Sequence, residues 1–214
     1  MSLALYYSPG ACSIAPHIAL EEAGADFEAR RIMLAEGQHR TPEYLALNPK
    51  GRVPLLLIDD QPLSELPAIV GYIGARFGTP GSVPQGDALA AARANEMLSW
   101  CGSTVHIGFA QVFRPERFAS ADHAEALRAS GRENLAGYFS EIEERLAASD
   151  WLAADSFTAA DSYVFAFYRW GRRIGMDMGA YPSWHAHCAR LLDRPAVQRA
   201  VATEGLSASE WIGG

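Results

Sequence analysis

Cys12 is the residue whose type and position most directly suggest chemistry. It follows a strand-like run, Leu3 to Tyr7, and a turn at Ser8-Pro9-Gly10, and it precedes apolar residues at helical spacing from Ser13 onward. The unpaired amides and the dipole of a helix N-terminus stabilise negative charge, so we expect the Cys12 thiolate to form readily. Ala15 stands three residues later, so any redox chemistry would need a thiol from outside the motif.

Hydroxyl groups beside Cys12 are the next candidates, because a hydroxyl that donates a hydrogen bond to a thiol lowers the pKa of that thiol. Ser13 is adjacent to Cys12 and is a catalytic candidate, although capping the helix is the commoner role of a serine there. Tyr6 and Tyr7 alternate across the first strand, so at least one of them should pack in the core.

His106 is the third catalytic candidate. It lies on a long predicted helix with Asn95, Ser99 and Gly102, at spacings of four, three and four that place them on one stripe. A histidine there could orient a sulfur atom or stabilise its thiolate. The alternatives are a structural role for His106 and a buried filler role for Cys12.

The composition limits the classes of protein to which this chain can belong. The 214 residues are 49% hydrophobic and 20% charged, and 18 basic against 25 acidic side chains give a net charge of −7. This balance argues against nucleic acid as a partner. The three cysteines, Cys12, Cys101 and Cys188, form neither a disulfide framework nor a zinc motif, which favours reduced thiols and a cytoplasmic location. The first residues do not resemble a secretory signal, and the stretch from Met97 to Phe113 is too polar and short for a membrane span.

The elements that would position these residues fall into two domains and a linker. Residues 1–78 alternate short strands and helices, with strands at Leu3–Tyr7, Phe27–Leu34, Val53–Ile58 and Leu63, and helices from Ser13 to Gly24, from Thr41 to Leu47 and from a Ser64 cap to Phe77. Residues 79–86 are dense in turn formers and read as the linker. Residues 87–214 are predicted to be all helical, with helices at Asp87–Arg114, His123–Ser149, Thr158–Arg173, Ser183–Leu192 and Pro195–Thr203. Thr158 and Asp161 fit a capping box for the third of these helices.

Several motifs, in this order and spacing, resemble those of the beta-class bacterial glutathione transferases. They are Tyr6-Tyr7-Ser8-Pro9-Gly10-Ala11-Cys12, then Asn48-Pro49-Lys50-Gly51-Arg52-Val53-Pro54, Glu65-Leu66-Pro67, Val105-His106-Ile107, Phe157-Thr158-Ala159-Ala160-Asp161 and Thr203-Glu204-Gly205-Leu206. Together they span nearly the whole chain. The resemblance implies an α/β thioredoxin-like N-terminal domain, an all-α C-terminal domain and a homodimer.

The resemblance also implies glutathione as co-substrate, bound in the cleft between the domains, and no metal. Pro54 would be cis, with the backbone of Val53 turned to pair with the cysteinyl part of glutathione. Glu65 would bind the γ-glutamyl amino group, and the helix N-terminus at Leu66 its carboxylate. His106 matches the family's histidine near the sulfur, and Ser99 stands where the family has asparagine.

The sequence departs from the family's pattern at two further positions. Leu66 replaces a small or hydroxyl residue, so a side-chain hydrogen bond to the glutathione carboxylate is lost while the Leu66 amide remains. The basic residue expected after the second strand is absent from its usual place, and Gln38, His39 or Arg40 could replace it.

The predicted function is therefore glutathione transfer to small hydrophobic electrophiles, as in detoxification, or thiol-disulfide exchange through a mixed disulfide on Cys12. Two alternatives remain on the same fold. One is a maleylacetoacetate isomerase or dehalogenase, although Gly10-Ala11-Cys12 differs from the isomerases' serine-rich motif. The other is a non-catalytic carrier of hydrophobic ligands, favoured by Leu66 and the absent basic residue.

Overall fold

The N-terminal half of the molecule is built on a four-stranded sheet. A computed structural model describes residues 1–213, so that Gly214 of the predicted C-terminal domain lies outside the described residues. The strands are β1 (Leu3–Tyr7), β2 (Glu28–Arg31), β3 (Leu55–Ile58) and β4 (Gln61–Ser64), in the order β2-β1-β3-β4. β1 is parallel to β2 and antiparallel to β3, and β3 is antiparallel to β4. The predicted β1 is confirmed, and β2 is shorter than predicted.

Side chains that alternate along β1 bind three helices to the two faces of the sheet. The helices are α1 (Ile14–Glu22), α2 (Pro42–Leu47) and α3 (Leu66–Phe77). Leu3 and Leu5 pack with residues of α1 and α3 on one face, whereas Ala4 packs with Tyr44 of α2 on the other. This arrangement confirms the predicted α/β domain and places the loop between β1 and α1 at one end of the sheet.

The remainder of the described chain is helical, as predicted. It comprises α4 (Ala88–Trp100), α5 (His106–Phe113), α6 (Ala124–Ala148), α7 (Ala159–Arg173), α8 (Pro182–Leu192), α9 (Pro195–Thr203) and α10 (Ser209–Ile212). The sequence did not predict α10. Helix α7 is buried from Ala159 to Gly171 and contacts α1, so the two domains share one interface.

The capping box at the start of α7 is confirmed. The Thr158 amide donates to Asp161 Oδ2 at 2.8 Å, and the Leu152 amide donates to Asp161 Oδ1 at 2.8 Å. His187 Nε2 lies 3.0 Å from the same Oδ1 atom. The buried carboxylate therefore joins the helix start to a preceding loop and to α8.

A turn of π-helix, Cys101–Val105, separates α4 from α5, where the sequence predicted one continuous helix. A π turn closes hydrogen bonds five residues apart, and one additional residue in an α-helix rotates the following positions by about 100°. The prediction that Ser99 and His106 share a stripe is therefore wrong. Ser99 is exposed, whereas His106 is partly buried.

Residues 79–86 contain neither helix nor strand. They are nevertheless tied to the start of α7, because the Ala159 amide donates to the Ser82 carbonyl at 3.2 Å and the Gly81 amide to the Phe157 carbonyl at 3.2 Å. This connection holds the two parts of the chain together. None of the helices within residues 1–213 has the length and apolar character needed to cross a membrane.

Candidate active site

Cys12 lies in the turn between β1 and α1, as predicted, two residues before the helix begins. Its Sγ donates to the Val53 carbonyl at 3.9 Å, and its side chain is only 7% exposed. Burial raises the pKa of the Cys12 thiol to about 12 and outweighs the lowering by a backbone hydrogen bond and by Arg52. The expectation of a readily formed thiolate is therefore not met in the free protein, because burial, together with the nearby carboxylates of Glu204 and Glu65, raises the pKa more than the backbone hydrogen bond and Arg52 lower it.

The segment opposite Cys12 is held rigidly. The Val53-Pro54 peptide bond is cis, as the resemblance implied. The carbonyl of Arg52 accepts hydrogen bonds from the Tyr44 hydroxyl at 2.6 Å and from Asn48 Nδ2 at 2.7 Å. These contacts fix the backbone whose next carbonyl, that of Val53, faces the sulfur of Cys12.

Side chains from the helical domain anchor the loop that carries Cys12. The Gly10 amide donates to Glu204 Oε2 at 2.7 Å, and the Gly10 carbonyl accepts from Trp170 Nε1 at 2.8 Å. Gly10 has φ of +65°, and a Cβ there would collide with the guanidinium of Arg169. The amide and the carbonyl of Gly10 are thus both held by hydrogen bonds, two residues before Cys12.

Glu204 is almost fully buried, and its Oε1 lies 3.0 Å from Nδ1 of the fully buried His17 on α1. Burial raises the pKa of the Glu204 carboxyl, while His17, the Gly10 amide and Arg169 lower it. The motif Thr203-Glu204-Gly205-Leu206 therefore holds the loop between β1 and α1 in place through the side chain of Glu204.

The hydroxyl groups near Cys12 form hydrogen bonds with other groups of the protein. Ser13 is fully buried and makes no side-chain cap; its Oγ accepts from the Ser8 amide at 3.1 Å. The Tyr7 hydroxyl donates to the Thr203 carbonyl at 3.2 Å, and Tyr7 is buried, as predicted for one of the two tyrosines. Arg30 Nη1 donates to the Tyr6 hydroxyl at 2.9 Å. We therefore assign Ser13 to closing the loop and not to activating a thiol.

His106 begins α5 and sits among aromatic rings. Its Nδ1 is 2.7 Å from the Tyr163 hydroxyl, and its ring centroid is 5.0 Å from that of Trp170. Burial, followed by the positive charges of Arg117, Arg52 and Arg114, lowers the pKa of His106 to about 4. The imidazole is therefore neutral at neutral pH, so it can act on sulfur by hydrogen bonding but not as a cation.

Tyr163 connects the two candidate residues. It is buried, and its pKa is raised well above the usual value by burial and then by the charge that Cys12 would carry. Its phenol therefore stays protonated and can donate to His106 Nδ1, which leaves Nε2 of the neutral ring carrying the proton. Among residues 1–213, that Nε2 has no hydrogen-bond partner.

Glu65 and Lys50 form an exposed ion pair at the start of α3. Glu65 is the N-cap residue and does not lie inside the helix; the predicted cap, Ser64, ends β4. Glu65 has φ of +73°, which is strained for a residue with a side chain. Its Oε1 accepts from Lys50 Nζ at 2.6 Å, and Lys50 also donates to Ser64 Oγ at 3.0 Å. Leu66 is buried, and its amide lies in the first turn of α3, where amides lack helical partners.

Ser99 is not brought to this site in any contact that the structure records. It is exposed, and its carbonyl accepts a hydrogen bond from Ser103 Oγ at 2.8 Å. In the described part of the chain, no three His, Cys, Asp or Glu residues are grouped so that they could hold a metal ion.

Two family models match this chain. The glutathione S-transferase N-terminal domain matches residues 1–75, and the glutathione S-transferase C-terminal domain matches residues 103–195. Together they cover most of the sequence and both halves of the fold. The chain belongs to the glutathione S-transferase family.

Relatives of this glutathione S-transferase family member match it over nearly its full length. Glutathione S-transferase GstA of Escherichia coli O157:H7 is 32% identical over 204 residues, 94% of this chain and 98% of its own. A solved sphingomonad glutathione S-transferase complexed with glutathione is 38% identical, with a TM-score of 0.82 over 95% of this chain and all of its own. A maleylacetoacetate isomerase of Pseudomonas aeruginosa is 30% identical over 186 residues, 85% of this chain and 86% of its own. The resemblance to bacterial glutathione transferases is confirmed.

Sequence reasoning about this family member missed Tyr163, Lys50 and the loop-anchoring role of Glu204. Lys50 stood inside the Asn48–Pro54 motif, and its positive charge beside a segment that the resemblance assigns to glutathione binding was a usable signal. Tyr163 carried no such signal, because aromatic residues at helical spacing usually belong to a core. Glu204 was found only as part of a motif without an assigned role.

Proposed function

We propose that the protein transfers glutathione to small electrophiles and that Cys12 acts as a protonated thiol. The observation that carries this proposal is the environment of Cys12. The residue lies just before the N-terminus of α1, and its burial raises the pKa of its thiol to about 12. The thiol of free glutathione is an ordinary cysteine thiol with a pKa of about 8.5, so it ionises first. Cys12 then donates its proton in a hydrogen bond to the glutathione thiolate and stabilises it.

Backbone and charged groups hold the tripeptide in this proposal. The carbonyl of Val53 accepts from the cysteinyl amide of glutathione. The γ-glutamyl end carries an amino and a carboxylate group, which match the opposite charges of Glu65 and Lys50, 2.6 Å apart. The Leu66 amide adds a donor for the carboxylate. Arg40, in the segment after β2, is our candidate for the glycyl carboxylate.

The reaction is a displacement or addition at an electrophilic carbon. In a displacement, the glutathione sulfur forms a bond to that carbon, the leaving group departs with its electron pair, and the thiol proton passes to solvent. In an addition, the sulfur forms the same bond while the π electron pair of the acceptor moves to the neighbouring atom, which takes up a proton. Neutral His106 donates from Nε2 to the thiolate or to the developing charge on the acceptor. Thiol-disulfide exchange through Cys12 is disfavoured, because it requires the Cys12 thiolate that burial suppresses.

Conjugation of glutathione to an aryl chloride tests the proposal. We expect Cys12→Ala to lower kcat/KM by about 10-fold, the value of one hydrogen bond to a charged group, and Cys12→Ser to retain most activity because it keeps a donor. Thiol-disulfide exchange through Cys12, assayed separately with a disulfide substrate, would instead be lost completely in both variants. Absence of saturable glutathione binding by the wild-type protein would refute the proposal.

A maleylacetoacetate isomerase activity is the second candidate, since a relative of that name is 30% identical over most of the chain. Its reaction also adds the glutathione sulfur to an unsaturated carbon, so the same site serves. Glutathione-dependent isomerisation of a cis-enedione, with glutathione recovered unchanged, would favour it over conjugation. A carrier would bind the acceptor without turnover.

We further propose that the protein is a cytoplasmic homodimer that detoxifies electrophiles, as its resemblance to the family implies. Light scattering during size-exclusion chromatography tests the dimer. A monomer at micromolar concentration that retains full transferase activity would contradict it.

A further inference from the structure

Helix α10 is fixed against α7 by one buried ring and by one arginine. Trp211 of α10 is fully buried, and its ring stacks on that of Phe165 with the centroids 4.4 Å apart. Trp211 Nε1 also donates to the Phe165 carbonyl at 2.7 Å. Arg172 Nη1 donates to the carbonyls of Ser209 and Trp211, at 3.1 and 2.6 Å. The side chain of the remaining charged residue of α10, Glu210, is therefore held in a defined place beside α7.

Glu210 forms an ion pair with Arg169 of α7. Its Oε2 accepts from Arg169 Nε at 2.8 Å and from Arg169 Nη2 at 2.5 Å. Arg169 is only 7% exposed, and within residues 1–213 no other carboxylate forms an ion pair with it. A guanidinium that is buried to this extent requires a partner of opposite charge, so the position of Glu210 decides where the guanidinium lies.

The same guanidinium contacts the loop that carries Cys12. Arg169 Nη1 donates to the Gly10 carbonyl at 3.4 Å, and a Cβ on Gly10 would lie 2.2 Å from that nitrogen. The Arg169 Cζ atom is also 5.8 Å from the ring centroid of Trp211. The guanidinium therefore lies against Gly10 while it is bound to two residues of α10.

The position of Gly10 is transmitted to Cys12 through a short and well-bonded segment. Only Ala11 separates the two residues, and the Ala11 carbonyl accepts from the amide of Ile14, the first residue of α1, at 3.1 Å. The segment is thus joined to the helix on one side and to Arg169 on the other. A displacement of Gly10 would move the Cys12 thiol away from the Val53 carbonyl that it faces.

We propose that Glu210 is a positioning residue for Cys12 and acts through Arg169. With the ion pair formed, the guanidinium stays on Gly10 and the loop keeps the Cys12 thiol covered and facing Val53. Without it, the guanidinium leaves Gly10 to regain water, and the loop opens more often. The effect on turnover rests on the proposed transfer of glutathione, whereas the effect on the thiol requires no glutathione.

Alkylation by iodoacetamide tests the proposal without turnover, because all three cysteines are buried and mass spectrometry follows each one. We expect Glu210→Gln to speed the labelling of Cys12 by about 10-fold, since a hydrogen bond to a charged acceptor is stronger than one to a neutral acceptor by roughly that factor. Opening of the loop exposes little surface, so this rate should hardly change with urea below the unfolding transition. Labelling through global unfolding would instead rise with urea, in parallel with that of Cys101 and Cys188.

Glu141→Gln is the matched control, because Glu141 forms an exposed ion pair with Arg145 on α6 and its replacement changes the net charge equally. It should leave the labelling of Cys12 within about twofold of wild type. An unchanged Cys12 rate in Glu210→Gln, an equal acceleration in Glu141→Gln, or an accelerated rate that rises with urea in parallel with Cys101 would overturn the proposal.

A double variant tests whether Glu210 acts through Arg169. Arg169→Gln should speed the labelling of Cys12 at least as much as Glu210→Gln, and the two changes together should add nothing to Arg169→Gln alone. Rates that multiply in the double variant would contradict the route through Arg169.

Conjugation of glutathione to an aryl chloride separates this proposal from the proposed function. Glu210→Gln should lower kcat by about 10-fold and leave the KM for glutathione within about twofold, because the residues proposed to hold the tripeptide are untouched. Wild-type turnover with Cys12 labelling unchanged in Glu210→Gln means that the transferase function stands and the positioning role is wrong. Faster Cys12 labelling in that variant, without turnover by the wild type, supports the positioning role and refutes transferase activity.

Discussion

The carboxylate of Glu204 accepts a hydrogen bond from the amide of Gly10 at 2.7 Å, although the two residues are 194 positions apart. The same carboxylate lies 3.0 Å from the buried ring of His17 on α1. The side chain of Glu204 therefore holds both α1 and the loop before it, which carries Cys12.

Glu204→Ala should lower the free energy of unfolding by about 3 kcal/mol, because it leaves the Gly10 amide and the ring of His17 buried without their partner. Glu204→Gln keeps an acceptor oxygen and should cost about 1–2 kcal/mol. Urea unfolding measures both. A change below about 0.5 kcal/mol in the alanine variant would contradict the anchoring role.

His106 should make stability depend on pH between about 4 and 6.5. Its pKa in the folded protein is about 4, below the value of about 6.5 in the unfolded chain. The unfolded state therefore binds the proton first, and stability present above about pH 6.5 is lost as the pH falls toward 4, by about 1–3 kcal/mol. His106→Asn should flatten this part of the stability profile measured by urea unfolding. An unchanged slope in the variant would exclude His106 as its source.

Cys12 should resist alkylation in the free protein. A thiol with a pKa of about 12 is a thiolate in about one molecule in ten thousand at pH 8, so iodoacetamide should modify it about 1,000-fold more slowly than glutathione. All three cysteines are buried, so mass spectrometry must locate each adduct. Unfolding in guanidinium should abolish the protection. Labelling of native Cys12 as fast as glutathione would contradict a buried thiol.

Glu65 should lower the free energy of unfolding of the protein while it contributes to glutathione binding. Glu65→Gly relieves the strain of a φ of +73° and should raise the free energy of unfolding by about 1 kcal/mol, since the exposed ion pair with Lys50 that it also removes contributes little. Glu65→Gln keeps the strained backbone and should leave stability nearly unchanged. Both variants should bind glutathione about 10-fold or more weakly by calorimetry. Wild-type affinity in either would remove Glu65 from the site.

The elements of this fold follow from local patterns. The aromatic residues of Leu3–Tyr7 and the turn at Ser8-Pro9-Gly10 predict a strand there, and the structure confirms the strand, with helices on both of its faces. Helix α9 begins and ends at the predicted residues, because Pro195 starts it and the apolar spacing continues to Thr203. These patterns depend on neighbours within one or two turns.

The ionisation of Cys12 and the direction of His106 could not be predicted in this way. The pKa of Cys12 depends on how closely Val53 and the rest of the core exclude water, which the sequence near Cys12 does not encode. The π turn before His106 adds a residue to the helix without interrupting its apolar pattern, so a 3.6-residue periodicity cannot detect it. Both features are set by tertiary packing.

The contact between Gly10 and Glu204 also has a consequence for biosynthesis. A ribosome makes the sheet and its three helices long before it makes residue 204, so the N-terminal domain emerges before the loop that carries Cys12 can bond to Glu204. Translation that stops before this glutamate yields a chain without this contact, so the loop that carries Cys12 is completed only after α9 has been synthesised and packed on α1.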